Sequence, residues 1–196
     1  MKITRVNLVV ENPERIDFGS LKRPIIISNH TSLLDIPIIH AAFPEHDIRM
    51  AAKKELFTVP IFGRALKIMG YLQVVRGSRE KVWDLFHQFQ IAFKNRIIPW
   101  ISPTGTRSNR LGEVKRGAFI IAKRLEATIL PVAIIGADQV LPRKAIRCRH
   151  SKTVLVIVGT PILALKENFK SRDALIDQSM QSLKELIATK TNHIYS

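Results

Sequence analysis

Cysteine is all but missing from this chain of 196 residues, in which Cys148 stands alone. One thiol cannot close an internal disulfide, which agrees with a reducing compartment. Long apolar runs are missing too. The longest, A-T-I-L-P-V-A-I-I-G-A at Ala127–Ala137, contains Pro131 and falls well short of the ~18–20 residues that a spanning helix needs. The opening M-K-I-T-R-V-N-L-V-V-E sets charges every few residues where a secretory leader has an unbroken apolar centre, so the chain is expected to stay inside the cell. Aromatic residues make up only 7%, which leaves few platforms on which single-stranded nucleic acid could stack.

Acidic residues are the most telling shortage. Sixteen Asp+Glu face 31 Lys+Arg, for a net charge of +15. Such an excess points to a negatively charged partner: nucleic acid, an anionic bilayer, a phosphorylated substrate or an acidic carrier protein. The bases are scattered through K-K-E-L, R-G-S-R-E-K, R-S-N-R and P-R-K-A-I-R-C-R-H, without the long single-sign tail of a nucleic-acid arm. No nucleic-acid partner is expected. Hydrophobic residues at 46% and the length of the chain allow one domain with a sizeable core, and no repeat or low-complexity linker divides it.

Short β-rich runs alternate with helix-period runs, which predicts an α/β single domain over residues 1–196 with a mixed central sheet flanked by helices. Strands are expected at Ile3–Val10, Pro24–Ser28, Ile48–Ala52, Tyr71–Val75, Ile97–Ile101, Ile129–Ile135 and Thr153–Val158. Helices are expected at Leu33–Ala42, Pro60–Met69, Arg79–Asn95, Gly117–Leu125 and about Ser171–Thr189. In the last, Ala174, Leu175, Met180, Leu183, Leu186 and Ile187 form the stripe of a packing helix. Ligands of such sheets gather where strands end, and His30, Arg76 and the turn P-T-G-T-R-S each follow an expected strand.

The stretch S-N-H-T-S-L-L-D, Ser28–Asp35, is the first of these. Its bland reading is a capping segment before a helix. The chemical reading is a general base, His30, oriented by the Asp35 carboxylate. The two stand five apart, about 140° around an ideal helix, so they meet only if a turn lies between them. Thr31 and Ser32 suit such a turn, and Pro37 is best tolerated near a helix start. Arg76, just past a later strand, suits a bidentate grip on phosphate or is a solvated loop residue. In P-T-G-T-R-S, Gly105 lets backbone approach a ligand while Thr106 and Arg107 supply donors; alternatively the segment is an ordinary polar turn.

Taken in order, N-H-x-x-x-x-D, A-K-x-E-L-x-x-x-P-x-x-G, G-x-L-x-V-x-R-G, P-x-G-T-R-S and L-P-V resemble the glycerolipid acyltransferases, the family that includes lysophosphatidate acyltransferase. The likeness runs from Pro24 to Gly136 and, more loosely, through Gly159–Ile162. It implies a glycerol-phosphate acyltransferase-like fold and acyl transfer from a thioester of coenzyme A or acyl carrier protein to the hydroxyl of a lysophospholipid such as lysophosphatidate. His30 and Asp35 would be catalytic. Lys53, Arg76, Gly105, Thr106 and Arg107 would bind the substrate phosphate. No metal or bound cofactor is implied, and His40, His46, His87, His150 and His193 show no ligand spacing with Cys148. Two departures bear on the acceptor: Thr104 stands where the family usually has glutamate, and Val75 where an aspartate commonly precedes the arginine. A catalytically degenerate relative that only binds anionic lipid, or an acyltransferase for another acceptor, is the alternative.

Many members of that family carry a membrane helix, and no apolar run here is long enough to be one. Basic charge and an exposed apolar patch are therefore expected to hold the protein at the inner, cytoplasmic face of a membrane as a peripheral protein. The stretch proposed for that patch is Leu56–Gly63, where Leu56, Phe57, Val59, Ile61 and Phe62 crowd around Pro60 beside Lys53, Lys54 and Arg64; ordinary core packing is the competing reading.

Overall fold

The computed structural model describes residues 6–75, 79–105, 107, 113–143, 145, 147–149, 152–165 and 171–194. Eight strands among them form one sheet: β1 (Val6–Glu11), β2 (Pro24–Ser28), β3 (Ile48–Lys53), β4 (Leu72–Val74), β5 (Ile98–Ile101), β6 (Thr128–Ile135), β7 (Lys152–Val158) and β8 (Ile162–Leu163). Their order is β1-β7-β6-β2-β5-β3-β4, with β8 also paired to β6. From β6 across to β4 all neighbours are parallel, whereas β7 and β8 run antiparallel to β6 and the sheet is mixed as expected.

The helices are α1 (Asp35–Ala42), α2 (Phe62–Ile68), α3 (Arg79–Lys94), α4 (Gly117–Leu125), the short α5 (Ala137–Val140) and α6 (Arg172–Ile194). The P-I-I-I run explains why they lie on both sides. Ile26 belongs to one apolar layer, shared with Ile38 and Ile39 of α1 and Leu66 of α2. Ile25 and Ile27 belong to the other, shared with Phe89 of α3, Phe119 of α4 and Leu175 of α6. A parallel strand covered on both faces reads as a continuous apolar run for this reason. Among the described residues no helix is long and apolar enough to cross a membrane.

Several boundaries move. The first helix starts at Asp35 and not at Leu33, because residues 31–34 form the turn that the Asp35 side chain closes. The helix expected from Pro60 starts at Phe62, after a 3-10 turn at Lys54–Thr58. On α6, Leu175, Ile176, Ser179, Met180 and Leu183 are buried, while Ala174 faces solvent. Phe57 also differs from the expected patch: it is buried in the core, and the neighbouring Gly63 packs so closely on its carbonyl that a Cβ there would overlap it.

Candidate active site

The carboxyl ends of the parallel strands lie along one edge of the sheet, and several segments converge there. His30 follows β2, Lys53 ends β3, Val75 follows β4, and Ser102–Gly105 follows β5. This is where an open α/β sheet offers its crevice.

His30 is set in place by its neighbours on both sides. Before it, the Asn29 amide reaches across to β6, donating to the Ile134 carbonyl at 2.6 Å and accepting from the Ile134 N–H at 2.8 Å. One residue earlier, Ser28 Oγ accepts the indole N–H of Trp100 at 2.7 Å and donates to the Asn29 carbonyl at 2.8 Å. The strand end is thus tied to both of its sheet neighbours. After it, the chain turns back so that His30 Nδ1 lies 2.7 Å from Asp35 Oδ2.

The same Oδ2 accepts the main-chain N–H groups of Thr31 at 2.7 Å and Ser32 at 3.0 Å. Oδ1 is buried with no hydrogen-bond partner among the described residues. The Asp35 side chain is fully buried and that of His30 is 11% exposed. Ser32 Oγ completes the turn, accepting from the Leu34 N–H and donating to the Leu141 carbonyl. With Nδ1–H donated to the carboxylate, the lone pair of the imidazole sits on Nε2. A base oriented in this way, by an acceptor that is itself oriented, has the arrangement of a catalytic dyad.

His30 borders a cavity of about 940 Å³. Leu33, Leu56, Phe62, Leu66, Val82 and Leu85 give it apolar wall, and it has room for a hydrocarbon chain. Its charged lining is cationic apart from Glu113: Lys53, Arg107, Lys115, Arg116 and Arg143. Glu113 pairs with Lys115 at 2.8 Å. Lys53, Arg107, Arg116 and Arg143 have no ion pair among the described residues.

Of the residues singled out in the sequence, His30, Lys53, Gly105 and Arg107 line this one cavity, with Asp35 directly behind His30. Gly105 has a positive φ of 65°, the left-handed conformation that glycine adopts without strain. The turn it belongs to is tied down by bonds from Gly105 N–H to Ser102 and from Lys115 N–H to Pro103. Thr104 is buried at the same turn, its hydroxyl 3.4 Å from that of Ser102. Arg76 and Thr106 lie outside the described residues.

Sequence reasoning missed Lys115, Arg116 and Arg143. They come from the approach to α4 and the loop after α5, and no local pattern marks them out from the other bases of so basic a chain. It also passed over Tyr71, which lines the cavity with its hydroxyl 3.1 Å from His40 Nε2. Burial pushes the Tyr71 hydroxyl up to about 12, against the opposing pull of Arg49. Burial and then Arg49 lower the His40 imidazole from its usual range, against the field of Asp47. Both groups therefore stay neutral near pH 7.

The sequence matches the family described as Acyltransferase over residues 7–135. It is 30% identical over 159 residues to a 1-acyl-sn-glycerol-3-phosphate acyltransferase of Helicobacter pylori, covering 80% of this chain and 65% of that one. It is 27% identical over 163 residues to a chloroplastic 1-acyl-sn-glycerol-3-phosphate acyltransferase of Brassica napus, covering 82% of this chain and 45% of that one. The chain thus spans between about half and two thirds of the length of these relatives. In fold it resembles the crystal structure of the 1-acyl-sn-glycerophosphate (LPA) acyltransferase PlsC from Thermotoga maritima, with a TM-score of 0.68 over 92% of this chain and 72% of that one at 24% identity.

Proposed function

Since the chain belongs to the acyltransferase family, we propose that it transfers a fatty acyl group from a thioester, of coenzyme A or of acyl carrier protein, to the hydroxyl of a lysophospholipid such as lysophosphatidate. The observation that carries this reading is the His30–Asp35 pair, set at a cavity with apolar walls and a cationic lining. An acyl chain fits the first feature and a phosphate the second.

In the proposed reaction His30 Nε2 takes the proton of the acceptor hydroxyl as its oxygen attacks the thioester carbonyl carbon. The Asp35 carboxylate holds the ring and stabilises the imidazolium that forms. The tetrahedral intermediate then collapses, the C–S bond breaks, and the imidazolium returns its proton to the departing thiolate. An ester and a free thiol result. Lys53 and Arg107 hold the acceptor phosphate, and Arg76, Gly105 and Thr106 remain candidates for the same role. Lys115, Arg116 and Arg143 add to the same positive field.

Residues 1–196 act in this reading as one acyltransferase domain, working as a peripheral protein on the cytoplasmic face of an anionic membrane. The test is an acceptor panel. Purified protein with an acyl thioester should convert lysophosphatidate to phosphatidate, identified by mass, with stoichiometric thiol release, and should act poorly on the uncharged monoacylglycerol. Failure to release thiol with either acceptor, alongside vesicle binding, would favour the lipid-binding alternative.

A further inference from the structure

Between β3 and β4 the chain builds a plate on the protein surface: the 3-10 turn Lys54–Thr58, a tight turn at Val59–Ile61, and α2. Three residues fasten it. Phe57 and Leu66 enter the core, and Gly63 seats against the backbone of residues 56 and 57. The rest faces outward. Ile61 is 88% exposed and Ile68 77%, with Leu56, Val59, Phe62 and Met69 also exposed. Six large exposed apolar side chains on fourteen consecutive residues, Leu56–Met69, are more than a soluble surface usually leaves uncovered on one short segment.

The turn at the tip is strained. Ile61 has φ 63° and ψ −61°, and the Phe62 N–H donates to the Pro60 carbonyl at 2.7 Å. That is a γ-turn of the positive-φ kind, the rare form, and it is occupied by a β-branched residue for which such a backbone is an outlier. Glycine, with no Cβ, would sit there at ease. An isoleucine that gains nothing from the core, in a conformation that penalises it, must gain elsewhere.

Charge indicates where. Lys53, Lys54, Arg64 and Lys67 accompany the plate with Glu55 as the one acid between residues 53 and 69. Lys54, Arg64 and Lys67 are exposed and form no ion pair among the described residues. Leu56 and Phe62 are exposed on the plate and also line the cavity, so whatever covers the plate lies beside that cavity. We propose that this plate docks on an anionic phospholipid bilayer, with Ile61 and Ile68 inserted among the acyl chains and the bases against the headgroups. The proposal rests on the lipid acyltransferase reading and assigns the residues by which the cavity meets its lipid. Basic flanks around an apolar tip match a bilayer surface, in which apolar chains lie just beneath negative headgroups.

The test uses the full chain and needs no turnover. Neither Ile61 nor Ile68 lines the cavity. Ile61→Asn combined with Ile68→Gln should bind vesicles of phosphatidylcholine containing an anionic phospholipid at least about tenfold more weakly than the wild type in cosedimentation. High salt should weaken the wild type further, and vesicles of phosphatidylcholine alone should bind poorly. Ile61→Gly alone should leave the thermal midpoint unchanged or raised, because the turn is relieved, and this opposite sign separates a docking tip from a structural one. Undiminished vesicle binding by the folded double variant overturns the proposal. So does a drop in oligomer size on gel filtration with vesicle binding intact, which would assign the plate to a second copy. If the wild type binds through these residues but transfers no acyl group, the enzymatic reading fails alone. If it acylates lysophosphatidate but binds without Ile61 and Ile68, only the docking assignment fails.

Discussion

Asn29 satisfies both main-chain groups of Ile134 with a single side chain, continuing the pairing of β2 with β6 one residue past the strand and into the peptide that carries His30. An asparagine can do this because its amide presents a donor and an acceptor side by side, as a peptide does. Asn29→Ala should therefore leave two buried groups of β6 unpaired and lower stability by about 1–3 kcal/mol in urea unfolding. Turnover should fall with it, because the tether of His30 is lost. Unchanged stability would mean that Ile134 finds other partners.

The use of a single carboxylate oxygen by Asp35 gives a graded expectation. Asp35→Ala orphans the Thr31 and Ser32 N–H groups and frees the imidazole, and turnover should fall by about a hundredfold or more. Asp35→Asn can place its one oxygen at the Oδ2 position, keeping all three bonds while removing the charge. Its rate should lie between those of the wild type and the alanine variant. Wild-type turnover by a folded Asp35→Ala protein would take the carboxylate out of the mechanism.

Arg107→Ala and Arg76→Ala should raise KM for a phosphorylated acceptor more than for an uncharged one, and Lys53→Ala should act in the same direction. Steady-state kinetics on lysophosphatidate and monoacylglycerol supply the comparison. Equal losses on both acceptors would show that these cations do not read phosphate.

Acid should destabilise the fold in part through His40. Its pKa is lowered in the folded state, so below about pH 6.5 the unfolded chain takes up a proton that the folded chain resists. The contribution of neutral His40 is present above that pH and is lost as pH falls toward the folded value. His40→Gln should flatten the decline of the thermal midpoint between about pH 6.5 and 5. A decline identical to that of the wild type would assign acid sensitivity to other groups.

The central strands were legible because parallel strands covered on both faces leave apolar runs; the spacing of His30 and Asp35 alone fitted a helix cap at least as well as a dyad, and the ordered motifs of the family resemblance turned the reading toward the pair. What stayed hidden depended on distance in the sequence. Nothing local marks Arg143 as a neighbour of His30's cavity or sets β7 between β1 and β6, and the two residues of β8 are too few to show a period. Phe57 and Phe62 look alike in a run of apolar residues. Only the 3-10 turn and the contact at Gly63 send the first into the core and leave the second outside.

In the proposed reaction His30 is the base that activates the acceptor hydroxyl. The decisive comparison is thiol release from an acyl thioester in the presence of lysophosphatidate by the wild type and by His30→Ala of matched thermal stability. A loss of about a hundredfold or more is predicted, since general-base catalysis supplies at least that much. Near-wild-type release by the folded variant would contradict it.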